Sequence, residues 1–307
     1  MNTPLKNSIL SLAVMSILLI SCQPKHGNPE LNENVAIDKK QSSLTQEEEE
    51  VKATVERLLF AAGNYNLEAL DDMVLEKANL GITGLKDGIW QNSVMTVDEY
   101  LNNAKNRKLS PYYEIASHYD IQVSEGRLAS VIADNIVHQF GVPKTHEINY
   151  FTLMKENGSW KFLSISFTVI PIAPEKKKFD LSIFARSYAQ SWCSNRPEFV
   201  ASYFSKDGSL QVNDGDPARG RAEISAIAQS FMTKFPDMNV RFDSLVQTPN
   251  GIEFHWTLTG TDADPDGKGN KVNVSGFELW TISEDGLIKD SKGNFPTEEY
   301  NKQLNLE

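Results

Sequence analysis

Residues 184–208 read FARSYAQSWCSNRPEFVASYFSKDG, and this stretch decides the fold of the second half of the chain. Four apolar residues in it recur at three- and four-residue intervals and so lie on one face of an amphipathic helix: Phe184, Tyr188, Ala189 and Trp192. Pro197 opens a second short helix, predicted over residues 197–204, because proline suits the first helical turn. Ser205 to Gly208 are predicted to turn the chain. Two helices on one side of a later sheet are therefore expected.

The rest of this half alternates between apolar and polar residues. It predicts a helix over 221–234 and strands over 210–212, 240–246, 251–261, 271–283 and 287–291. The turns between the later strands are marked by Asn250-Gly251 and Asp285-Gly286. In the strand over 251–261, His255 falls on the face opposite Phe254 and Trp256, which places it on the outer surface of the sheet or in a dimer interface. The pattern is α+β with segregated helices.

The first half repeats this order of elements, which indicates an internal duplication. An acidic start, Glu47 to Glu50, precedes an apolar helical stripe, and Thr96 caps a later helix. Strands are predicted around 115–123, 128–140, 148–155 and 160–169. Prolines and a lysine run at 171–178 separate the halves. The predicted organisation is a signal peptide at 1–21, a tether at 22–45, and domains at 46–172 and 179–304.

The N-terminus has the features of an export signal. Lys6 precedes an apolar run, residues 9–20, that is shorter than the ~20 residues a spanning helix needs. The run ends in Leu19-Ile20-Ser21-Cys22, which resembles the lipobox of bacterial lipoproteins. This resemblance implies cleavage before Cys22, a lipid such as palmitate on Cys22, and anchoring in the cell envelope at the outer membrane or the periplasmic face. The alternative is an ordinary signal peptide or membrane anchor followed by an unrelated cysteine.

Composition restricts the partners. With 30 Lys+Arg against 41 Asp+Glu the chain is acidic, which argues against nucleic-acid binding because phosphate backbones need clustered positive charge. The polar residues after Cys22 have too little apolar content to order, so they are predicted to be a flexible tether. If Cys22 carries a lipid, Cys193 has no partner for an intramolecular disulfide.

The second half is similar to the SnoaL-like family. The resemblance rests on short elements in order, across most of residues 180–303: Tyr188 to Trp192, Tyr203 to Gly208, Gly220 to Ile224, Phe235 to Met238, His255 to Thr261 and Gly286 to Ile288. The first half resembles the wider NTF2-like superfamily through its closing hairpin, residues 153–162. The resemblance implies two tandem NTF2-like (SnoaL-like) cone folds, each a bent antiparallel sheet wrapped on helices around an apolar cavity. Such folds also dimerise through the sheet, so a homodimer is a further expectation.

The resemblance also suggests where chemistry would lie. SnoaL-like cyclases carry an acidic residue, His and Trp on the last strand; here Asp290 keeps the acid, but Ser291 and Lys292 replace the others. Asp290 is therefore the candidate catalytic acid, and an exposed residue at a strand end is the alternative. Candidate pocket residues are the aromatics of the second half, unless they are plain core: Tyr188, Trp192, Phe231, Trp256 and Phe277.

No metal and no cofactor is predicted. The stretch from Asp262 to Gly267 resembles the start of a calcium loop, but Pro265 stiffens it and Asn273 stands where a bidentate glutamate is expected, so an acidic hairpin tip is the better interpretation. The histidines lack metal-ligand spacing. The leading hypothesis is an envelope lipoprotein that binds a small apolar ligand or a partner protein. The alternative is a SnoaL-like isomerase, cyclase or dehydratase that acts through Asp290 or another inward acid of the second domain.

Overall fold

The computed structural model describes residues 44–105, 109–263 and 269–306. The predicted signal peptide, Cys22 and nearly all of the tether lie outside these residues. The folded part, Leu44–Glu307, is one compact unit. Among its described helices, none has the length and apolar character needed to cross a membrane.

The first domain begins with helices and ends with long strands. Its α1 starts at a capping box, in which the Thr45 hydroxyl accepts from the Glu48 backbone and the Glu48 carboxylate accepts from the Thr45 backbone. Thr96 caps α3 in the same way, as predicted. The elements run in the following order: α1 (Gln46–Gly63), α2 (Leu67–Asp72), β1 (Val74–Lys86), β2 (Ile89–Thr96), α3 (Val97–Ala104), β3 (Tyr113–Ser124), β4 (Leu128–Gln139), β5 (Val142–Glu156) and β6 (Ser159–Pro171).

A one-turn 3-10 helix, Pro174–Lys176, connects the two domains, and the second domain repeats the order of the first. Its elements are the following: α4 (Leu181–Trp192), α5 (Pro197–Ser202), β7 (Phe204–Val212), β8 (Ala218–Arg219), α6 (Gly220–Lys234), β9 (Asn239–Thr248), β10 (Gly251–Thr261), β11 (Lys271–Ile282), β12 (Ile288–Asn294) and α7 (Thr297–Leu304).

Each domain has one six-stranded sheet, with the orders β2-β1-β6-β5-β4-β3 and β8-β7-β12-β11-β10-β9. Most neighbouring strands are antiparallel, as expected, but β1 pairs with β6 and β7 with β12 in parallel. The parallel pair joins the start of each domain to its last strand. Two tandem α+β cone-like domains result.

The structure corrects one local prediction and adds elements that the sequence did not indicate. The predicted turn at Ser205 to Gly208 is wrong, because these residues belong to β7. A Cβ atom on Gly208 would lie 2.9 Å from the Ile288 carbonyl oxygen, so this glycine permits close strand packing. The β1–β2 hairpin and the C-terminal helix α7 were not predicted.

Contacts between the domains run along α4 and the end of α1. Gln190 on α4 donates from Nε2 to the Tyr112 carbonyl oxygen at 3.0 Å. A Cβ on Gly63 would lie 2.4 Å from that oxygen and 2.7 Å from the Gln190 amide, so only glycine fits here. Phe140 of the first domain packs edge-on against Tyr203 of the second, with ring centroids 5.0 Å apart. The backbone at Tyr112 is therefore positioned by both domains.

Candidate functional site

The aromatic residues predicted to line a cavity in the second domain lie in three different places: at the cavity, in the core and on the opposite face of the sheet. Trp192, Phe231 and Trp256 line a cavity of only about 50 Å³. Tyr188 is fully buried in the core and packs edge-on against Trp192 at 6.2 Å. Phe277 lies on the other face of β11, where its ring is 5.6 Å from that of His255. Strand alternation explains the correction for Phe277, since its neighbour Glu278 is the inward residue.

Asp290 does not reach this cavity. On β12 the buried side chain is that of Ser291, so Asp290 lies on the opposite side of the strand. The Asp290 carboxylate instead accepts a hydrogen bond from the Ser209 hydroxyl at 2.7 Å. This position corrects the prediction of Asp290 as an inward acid.

The inward carboxylate of the second domain is Glu278, which sequence reasoning missed. Its Oε2 accepts from three donors: Ser291 Oγ at 2.7 Å, Trp280 Nε1 at 2.9 Å and the Tyr188 hydroxyl at 3.1 Å. Burial raises the pKa of Glu278, and these hydrogen bonds oppose the rise. A buried carboxylate with this many donors is a structural group that joins α4, β11 and β12.

The acidic stretch that starts at Asp262 lies between β10 and β11, which pair in an antiparallel manner. Asp262 is buried, and its Oδ1 lies 3.5 Å from Lys234 Nζ. Residues 264–268 lie outside the described part of the chain. Within the described part, no group of three or more His, Cys, Asp or Glu side chains could hold a metal ion.

The first domain holds a much larger cavity, of about 250 Å³. Apolar side chains from the helices and from β1 and β6 form most of its wall, including Leu58, Leu80, Leu101 and Ile165. The polar groups of the lining, which we call the polar side, come from β3, the segment before it, β5 and α3. An apolar chamber with a few convergent polar groups is the usual form of a small-molecule site.

Glu114 is the centre of the polar side. Its Oε1 accepts from Asn135 Nδ2 and from Asn149 Nδ2, both at 2.6 Å. Its Oε2 has no hydrogen-bond partner among residues 44–105, 109–263 and 269–306. Burial raises the pKa of Glu114, while the two amide donors oppose the rise by stabilising the charged form. One oxygen is thus fixed in place and the other is available to a ligand.

A second carboxylate, Glu147, lines the same cavity from β5. Burial, assisted by the nearby charge of Glu114, raises the pKa of Glu147 to about 7. Its Oε1 accepts from the Thr145 hydroxyl at 2.7 Å. A carboxyl group that titrates near neutrality can take up or release a proton under ordinary conditions, or bind a cation once ionised.

Two tyrosines complete the polar side. Tyr100 on α3 and Tyr112 before β3 both line the cavity. Deep burial and the neighbouring Glu114 raise the pKa of Tyr112 well above its ordinary value, so its hydroxyl stays protonated. Tyr112 is also the residue whose carbonyl accepts from Gln190. The cavity therefore borders the contact between the domains.

Comparison with known proteins gives a family match in the second half of the chain. Residues 185–291 match the SnoaL-like domain. Among curated proteins, none matches the chain. Three solved structures resemble it at low identity. A hypothetical protein with a ketosteroid isomerase-like fold from Catenulispora acidiphila is 14% identical, with a TM-score of 0.35, over 38% of this chain and 88% of that one.

The second is a phenazine biosynthesis-related protein from Pseudomonas aeruginosa, 15% identical, with a TM-score of 0.33, over 43% of this chain and 89% of that one. The third is an NTF2-like protein of unknown function from Exiguobacterium sp. 255-15, 19% identical, with a TM-score of 0.32, over 36% of this chain and 94% of that one. In each case, less than half of this chain matches most of the length of the other protein. The chain thus contains a SnoaL-like domain at residues 185–291, as the second of two tandem cone-like domains.

Proposed function

We propose that this protein is an envelope lipoprotein whose first domain binds a small, largely apolar molecule with one polar end. The observation that carries the proposal is the cavity of about 250 Å³ around Glu114, whose Oε2 accepts no hydrogen bond from the residues that the structure describes. The second domain has a cavity of about 50 Å³, and its inward carboxylate, Glu278, already accepts hydrogen bonds from three buried donors. Its role is to support the first domain through α4.

Native mass spectrometry of the protein purified gently from its own host tests this role. A cavity of ~150 Å³ accommodates benzene, so about 250 Å³ suits a ligand of about 100–200 Da. A reproducible added mass in that range is expected. A bare chain, or a dimer peak without added mass, would contradict ligand binding and favour an assembly role.

The second candidate function is proton-transfer chemistry of the isomerase or cyclase type. Asp290 cannot serve it, because it faces away from the cavity. The pKa of Glu147, at about 7, makes the first domain the better place for such chemistry. A co-purified molecule that the protein converts into an isomer would favour this function, whereas a molecule that is released unchanged would favour binding alone.

The membrane anchor is part of the same proposal, and it rests on the lipobox-like sequence at residues 19–22. In the wild type, the denatured mass is expected to correspond to residues 22–307 plus acyl groups. The Cys22→Ala variant should remain unprocessed at this site and carry no fatty acid. Fatty-acid labelling that is equal in both proteins would contradict the anchor.

A further inference from the structure

In the described part of the chain, the side chains that line the cavity of the first domain include acidic ones and no lysine, arginine or histidine. The ionisable residues that line it within the described part of the chain are two glutamates and two tyrosines, on β3, β5, α3 and the segment before β3: Glu114, Glu147, Tyr100 and Tyr112. Isolated ionised carboxylates in an apolar chamber are unfavourable unless they are paired. A ligand that brings positive charge would remove this penalty.

Two amide groups beside Glu114 stabilise its charged form, against the effect of burial, which raises its pKa. The amides of Asn135 and Asn149 donate to the same oxygen at 2.6 Å, and amide N–H groups stabilise a carboxylate more than a carboxylic acid. The fixed geometry leaves the other oxygen free for a donor from the ligand. Asn135 is completely buried, so this arrangement belongs to the interior of the sheet and is independent of surface conformations.

Aromatic rings line the same space. Tyr100, Tyr112, Phe151 and Phe167 border the cavity together with the two glutamates. Aromatic faces attract cations with about 0.5–2 kcal/mol, most strongly where water is excluded. The remaining walls are aliphatic and suit an alkyl or aryl body. Carboxylates and aromatic rings around one chamber form a recognition surface for an organic ammonium group.

We propose that the ligand of this cavity is a small organic cation, an amine or quaternary ammonium compound, whose nitrogen lies against the Glu114 and Glu147 carboxylates. This inference rests on the proposed binding function and specifies its ligand class. Neutral apolar ligands of the same shape are expected to bind more weakly, because they leave both carboxylates unpaired. The two glutamates are specificity-determining residues in this assignment.

The test compares choline with 3,3-dimethylbutan-1-ol, in which a carbon replaces the charged nitrogen. Calorimetric titration of the full mature chain at pH 8 is expected to give at least tenfold tighter binding of choline. Glu114→Gln and Glu147→Gln should each weaken choline several-fold and leave the alcohol unchanged. Equal affinities for the two probes, or glutamine variants that bind choline as the wild type does, would overturn the assignment.

The pH dependence of choline affinity gives a second readout, which does not require the Glu114→Gln variant to fold. Choline keeps its charge at all pH values, so a change in its affinity reports on the protein. The groups around Glu147 are Glu114, Thr145 and the two tyrosines that line the cavity, and burial holds the pKa of Tyr112 well above its ordinary value. Affinity should therefore rise from pH 6 to pH 8 as Glu147 loses its proton, and Glu147→Gln should remove most of this rise. A flat profile in the wild type would contradict a role for Glu147.

The outcomes separate this inference from the proposed function. If the alcohol binds in the cavity as tightly as choline, the binding function stands and the cationic class fails. If neither probe binds and no added mass accompanies the native protein, both fail.

Discussion

Glu278→Ala is expected to lower the free energy of unfolding by about 4 kcal/mol, because it leaves three buried hydrogen-bond donors without their acceptor. Ser291, Trp280 and Tyr188 are each at most 1% exposed, and all three donate to the Glu278 carboxylate. The second domain should therefore unfold at a much lower urea concentration, as measured by tryptophan fluorescence.

Two control variants make this expectation specific. Glu278→Gln keeps one acceptor oxygen and should cost about 1–2 kcal/mol. Glu253→Ala removes a glutamate of the neighbouring strand that pairs with His255 at 3.0 Å and is partly exposed, so it should cost less than about 1 kcal/mol. If Glu278→Ala proved as stable as Glu253→Ala, the buried network would contribute little to stability.

The secondary structure could largely be predicted from the sequence, because its signals are local. The capping residue Thr96, the proline that begins α5 and the Asn250-Gly251 turn each act within a few residues. The turn predicted at Gly208 failed because a glycine needed for close strand packing looks the same in sequence as a turn glycine. The parallel pairing of β1 with β6 joins residues far apart in the chain, so no local pattern could indicate it.

The two buried carboxylates differ in how visible they are in the sequence. Val272, Val274 and Trp280 alternate with exposed residues on β11, and period two places Glu278 on their inward face. This signal was present and was missed. Glu114 could not be found in this way, because its partners Asn135 and Asn149 lie 21 and 35 residues away and meet it only through the strand register.

Asp290 illustrates the limit of transferring a family position to a divergent sequence, and Phe277 the limit of inferring a pocket from aromatic residues. Both lie one residue away from a buried side chain, namely Ser291 and Glu278. A shift of one residue along a strand moves a side chain to the other face of the sheet. Both residues therefore lie on predicted strands, but on the face of the sheet opposite to the expected one.

The second large effect is expected from Val137→Phe, which should abolish ligand binding in the first domain. Val137 lies opposite Glu114 in the β3–β4 register and lines the cavity of about 250 Å³. An added phenyl ring at this position would occupy the space beside the Glu114 carboxylate. Overpacking costs of about 1–3 kcal/mol are expected, which a folded domain can tolerate.

The matched control is Val212→Phe. Val212 is also a half-buried strand valine, and it lines the cavity of about 50 Å³ in the second domain. The exchange is chemically identical but lies in the domain to which we assign no ligand. Ala62→Leu, on the α1 wall of the first cavity, provides a second filling variant with a smaller change in volume.

Calorimetric titration of the mature protein with indole, a neutral two-ring probe with one N–H donor, tests the central claim most directly. The wild type and Val212→Phe are expected to bind one molecule of indole with similar affinity. Val137→Phe should show no binding, and Ala62→Leu should bind at least several-fold more weakly. Binding that survives in Val137→Phe and disappears in Val212→Phe would contradict the account, because it would place the ligand in the second domain.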